Sequence, residues 1–131
     1  MRAVDTNLLV RLLTADDARQ FAAAKAVFGG SVWIAKTVLL ETAWVLGKVY
    51  EFDSRTVASA FRQLLALGTV TAEDEEAVVR ALGLVEEGLD FADALHLCSR
   101  PEGVTFVSFD RKFIARARRA GVSGLQLPGE G

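Results

Sequence analysis

The sequence predicts an α/β domain in which helices cover both faces of a mostly parallel sheet. Three observations lead there. Short apolar runs alternate with stretches of helical spacing along the whole chain. Several helical stretches open on an Asp, Ser or Thr suited to capping. Acids recur where a strand gives way to a helix, which is where open α/β sheets place their sites.

Ala3-Val4 is the expected first strand, and it runs at once into a helix with Leu8, Leu9, Leu12 and Leu13 at helical spacing. Asp5, Thr6 and Asn7 occupy the seam; an Asp there is also an ordinary helix cap. Asp16 and Asp17 open a second helix with Ala18, Phe21, Ala24 and Phe28 on one face, stopped at Gly29-Gly30. Ser31 to Ala35 reads as the second strand. Thr37 is the expected N-cap of a helix from Val38 to Val49. Glu41 is the only acid near its start, and a capping-box partner of Thr37 would sit at Leu40 instead. A lone carboxylate in so apolar a helix either faces solvent or needs a cation or strong donors.

Asp53-Ser54 caps a helix carrying Val57, Phe61, Leu64 and Leu65 on one side, and Gly68 ends it. Val70-Thr71 is a short third strand. Glu73-Asp74-Glu75-Glu76 opens a further helix, expected to break at Gly83 and end at Gly88; its acids suit the helix dipole and carry no assigned chemistry. Asp90 is the N-cap of the next helix, which puts Asp93 at the third helical position. His96, three residues on, is expected as a packed, hydrogen-bonded core residue. Val104 to Ser108 is the clearest strand, and Asp110 behind it starts a helix with Phe113, Ile114 and Ala117 facing inward. Lys112, Arg116 and Arg119 share another face, as a solvated surface or as a stripe that meets phosphates. Leu125 to Leu127 is the last strand before a Gly-rich tail.

With 131 residues and neither a repeat nor an internal linker, the chain reads as one domain, 1–131. A net charge of −2 makes long-range attraction to nucleic acid weak, so such a substrate would be held by a local patch. One cysteine, Cys98, excludes a disulfide framework. No apolar run approaches the roughly 20 residues of a spanning helix, and Met1 leads directly into the first strand. A cytoplasmic protein without membrane contact is therefore expected. Mean hydropathy of +0.28 is high for a small domain and leaves apolar surface over, for an alanine-rich helical protein or for an interface with itself or a partner.

In this architecture Asp5, Glu41, Asp93 and Asp110 converge at one edge of the sheet. Carboxylates packed together repel unless a cation neutralises them. An all-oxygen set suits Mg²⁺ or Mn²⁺, and there is no Cys/His set for zinc. Such a cluster can hold one or two ions that activate water for phosphodiester cleavage. The sequence has no P-loop, GxGxxG or GxSxG, and its single His gives a Ser or Cys triad little to work with.

These residues resemble the PIN domain, and more narrowly the VapC-type ribonuclease toxins of bacteria and archaea. The resemblance rests on Val4-Asp5-Thr6-Asn7, on Glu41 early in its helix, on Asp93 within Asp90-Phe91-Ala92-Asp93-Ala94-Leu95-His96, and on Phe109-Asp110-Arg111-Lys112-Phe113. It covers essentially the whole chain. It implies a three-layer α/β/α sandwich, Mg²⁺-dependent RNA cleavage, a homodimer and inhibition by a small antitoxin. Asp5, Glu41, Asp93 and Asp110 then match the metal-binding acids, and Thr6, Asn7 and Ser108 match supporting polar positions. Asp90 would stand close enough to help hold a second ion. Phe21, Phe28, Val57 and Phe61 would line a groove for an antitoxin helix. Two competing readings remain: a PIN-like binding or scaffold module that does not cut, and a receiver-type phosphoryl-transfer domain. The second would need a phospho-acceptor Asp on a central strand and a Lys near the last, and Val70-Thr71-Ala72 and Leu125-Gln126-Leu127 supply neither.

Overall fold

The computed structural model describes residues 1–130; Gly131, the last residue of the expected domain, lies outside them. The elements run β1 (Arg2–Ala3), α1 (Thr6–Thr14), α2 (Ala18–Val27), β2 (Val32–Ile34), α3 (Lys36–Lys48), α4 (Ser54–Leu65), β3 (Val70–Ala72), α5 (Glu75–Glu86), α6 (Phe91–Cys98), β4 (Phe106–Val107), α7 (Arg111–Arg119) and β5 (Leu125–Gln126). The fold is a helix-rich α/β architecture in which every strand pairing is parallel. β2 lies between β1 and β3, with Arg2 opposite Val32 and Ile34 opposite Ala72. β4 pairs with β5 as a separate two-stranded group, Phe106 opposite Leu125. Because β1, β2 and β3 are parallel, their carboxyl ends share one edge, and α1, α3 and α5 all start from it.

Apolar side chains from nearly every element fill the core. Leu9, Val32, Ile34, Leu39, Leu46, Phe61, Val78, Leu82, Leu97 and Ile114 are all buried. Phe61 of α4 meets Phe91 of α6 edge to face, ring centres 5.3 Å apart, the arrangement that ring quadrupoles favour. α6 packs along α5, so the first turn of α6 is held firmly against the core.

Four local expectations change. The first strand is Arg2–Ala3, one residue earlier than Ala3-Val4, because the Arg2 amide donates to the Ser31 carbonyl while Val4 is buried just past the ladder. Thr37 does not cap α3. The helix already begins at Lys36, whose amide donates to the Glu73 carboxylate at 2.9 Å, and the Lys36 ammonium pairs with Asp74 at 3.1 Å. A cap supplied from the end of β3 thus replaces the local one, and two acids assigned to the dipole of α5 serve α3. Gly83 does not interrupt α5, since Val78, Ala81, Leu82 and Val85 are buried around it. Their burial outweighs the cost of about 1 kcal/mol for a helical Gly. The strand expected over Val104–Ser108 shrinks to Phe106–Val107, because the Val104 amide turns back to the Pro101 carbonyl.

Candidate functional site

Asp5 ends the turn behind β1 in an extended conformation, φ −97°, and its carboxylate accepts from the Leu8 amide at 3.0 Å. It is a true N-cap that leaves its second oxygen without a donor among the described residues. Thr6, the next residue, donates its hydroxyl to the carboxylate of Glu41 in the second turn of α3. Asp5 and Glu41 are thereby held close to one another through the residue between them. Asn7 is exposed beside this pair.

A second set forms at the starts of α6 and α7. Asp90 caps α6, accepting from the Ala92 amide at 3.0 Å and the Asp93 amide at 3.4 Å. Asp110 caps α7 through the Phe113 amide at 3.0 Å, and its own amide donates to the Ser108 hydroxyl at 3.0 Å. Asp93 lies partly buried between them. Its carboxyl is pushed above the ordinary range, first by burial and then by the negative charges of Asp90 and Asp110, with His96 pulling weakly the other way.

The two sets meet across a cavity of about 700 Å³ that both Glu41 and Asp90 line. The chain of neighbours therefore runs Asp5, Thr6, Glu41, cavity, Asp90, Asp93, Asp110. Every candidate donor is oxygen. None of the four acids takes part in the ion pairs of the described residues, which join Arg11 to Asp16, Lys36 to Asp74, Arg62 to Glu86 and Arg118 to Glu130. Donor type and uncompensated charge fit a hard divalent cation. Among the described residues, though, no three Asp, Glu, His or Cys side chains stand close enough to enclose an ion. The acids form a loose edge rather than a closed cage.

His96 is exposed and is not the core residue expected from its helix face, because the inward positions of α6 go to Phe91, Ala94, Leu95 and Leu97. Phe28 and Phe61 are buried in the core and Phe21 is partly exposed, so the four do not form one open apolar groove; Val57, although buried, lies on the wall of the cavity beside Glu41. Lys112, Arg116 and Arg119 are exposed on α7 and enter no ion pair of the described residues. Their neighbour Arg118 turns away to the Leu125 carbonyl and Glu130. One residue escaped the sequence reading. Trp44, one turn after Glu41, is 62% exposed and lines the same cavity. Its spacing from Glu41 was the available signal.

No curated protein matches the chain. Among solved structures, VapC20 of Mycobacterium tuberculosis, described as a sarcin-ricin loop cleaving toxin, is 24% identical. The alignment covers 95% of this chain and 98% of that one, with a TM-score of 0.44. The PIN domain family model matches residues 2–119. With nearly the whole chain matched, from the first strand to the end of α7, the protein belongs to the PIN domain family.

Proposed function

We propose that this chain, one domain over 1–131, is a Mg²⁺- or Mn²⁺-dependent endoribonuclease and the toxin of a toxin–antitoxin pair. Membership of the PIN family supports a nuclease. The observation that carries the reading is the carboxyl edge itself. Asp93 is pushed up first by burial and then by the charges of Asp90 and Asp110, Glu41 is held by Thr6 next to Asp5, and no Lys or Arg forms an ion pair with these acids among the described residues. A partly buried carboxyl facing two other acids, with no cation paired to it, is costly and is a mark of a functional site.

Asp5, Glu41, Asp93 and Asp110 would hold the ion. When bound, it supplies an activated water and a counter-charge for the phosphate under attack. The protein's own parts then have separate tasks. Thr6 fixes the orientation of Glu41, and Ser108 orders the turn that delivers Asp110. Asp5 and Asp110 are locked by their caps to helix starts, so little ordering is left to be done when substrate arrives. The exposed Lys112, Arg116 and Arg119 give RNA phosphates a place to rest beside Asp110. The overall negative charge makes such a local stripe necessary. A small antitoxin, a homodimer and a cytoplasmic setting belong to the same reading.

Purified protein incubated with structured RNA should cleave it in Mg²⁺ or Mn²⁺ and stop in excess EDTA. Cleavage that survives thorough chelation, in a nuclease-free preparation, would contradict the metal-dependent mechanism. A scaffold role without cutting would give metal binding and no cleavage under any condition.

A further inference from the structure

The cavity beside Glu41 has features that metal binding does not use. Trp44 stands one helical turn after Glu41 with most of its surface exposed, an unusual position for the largest aromatic side chain. Leu40 and Gly47 line the same wall, the Gly adding no bulk beside the ring. Lys48, one turn after Trp44, is exposed, lines the cavity too and enters no ion pair of the described residues. Asp90, Thr37 and Ser54 complete the polar part of the lining. At about 700 Å³ the space suits a ligand of nucleotide size.

We propose that this cavity is a nucleobase subsite of the RNA-cutting centre, in which an unstacked base lies on the Trp44 indole while Lys48 takes the adjoining phosphate. The inference rests on the nuclease reading above and adds how substrate is held. An exposed indole is a sequence-tolerant platform, since every base offers a π-face. Bases become available for it only in single-stranded loops, bulges and ends, so the substrate class is RNA with an unpaired nucleotide at the cut site. Asp90 in the lining, outside the proposed ion-holding set and with one carboxylate oxygen free of its cap, repels phosphate and can accept a hydrogen bond from an exocyclic amine, so the base enters the cavity and the backbone stays with Lys48. Continuity of the cavity with Glu41 places a held base next to the acids.

The test uses the whole protein, kept in EDTA so that binding is read without cleavage. The probes are a short single-stranded RNA, the same RNA with one abasic position at successive places along it, and a fully paired RNA hairpin stem. Wild type should bind the single strand at least tenfold more tightly than the best-placed abasic version, and should bind the stem poorly. Trp44→Phe should keep most of that difference. Trp44→Leu, equally apolar, should erase it while binding the abasic RNA as wild type does. A Leu variant that binds both RNAs like wild type overturns the subsite and leaves Trp44 to some other partner. Cleavage of RNA by wild type in Mg²⁺, measured in parallel, separates the two claims. Cutting with no Trp44 effect sinks only the subsite; neither binding nor cutting sinks the nuclease reading and the subsite with it.

Discussion

At the scale of single residues, polar side chains outside the acidic edge act chiefly as ties. Asp16 shows how one works. Its carboxylate accepts from the Tyr50 hydroxyl at 2.6 Å, from Arg11 at 3.0 Å and from Thr14 at 3.0 Å, joining the end of α1 to the residues behind α3. These donors hold its pKa below the ordinary carboxylate value, the Tyr50 hydroxyl foremost. A carboxyl depressed in the folded state contributes stability above its unfolded pKa of about 3.9 and loses it as the pH falls through the folded value. Tyr50→Phe, which removes one donor and keeps the ring, should therefore unfold at lower urea than wild type at neutral pH. The gap should close as the pH falls below about 4. No gap at neutral pH would mean that Tyr50 works only through the packing of its ring against Phe52, which the variant keeps.

Among the elements, α7 makes the sharpest prediction. Its inward face, Phe113, Ile114 and Ala117, is buried, and Lys112, Arg116 and Arg119 stand exposed elsewhere on it. Replacing all three cations by Gln should weaken binding to single-stranded RNA and lower the slope of log affinity against log salt by about 2, for three phosphates released. Thermal stability should barely move. An unchanged slope would make the stripe a plain solvated surface. α7 was readable in the sequence because its cap, its apolar spacing and its cations are all local signals. The starts of α1, α4 and α6 were readable for the same reason, each resting on its own Asp. The start of α3 was not. Its amide is capped by Glu73, 37 residues away, and no local pattern encodes that. Gly83 likewise looked like a break until the burial of its neighbours was known.

For the whole molecule, the sequence contained the parallel α/β plan and the positions of the acids, since seams and spacing are local. It did not contain how far apart the acids stand. That distance depends on how α3, α6 and α7 approach one edge, which is decided by core packing such as that of Phe61 on Phe91. Nor did it separate buried aromatics from exposed ones, so Phe28 and Phe61 were misplaced and Trp44 was passed over. The central claim is that the acidic edge binds a divalent cation through Asp93. Asp93→Asn removes a negative charge that Asp90 and Asp110 oppose, so the metal-free variant should be at least as stable as wild type. Thermal melts of both proteins, in EDTA and in Mg²⁺ at a hundredfold excess over Kd, test this directly. Mg²⁺ should stabilise wild type by about 2.7 kcal/mol and leave Asp93→Asn almost unmoved. An equal Mg²⁺ shift in both would contradict it.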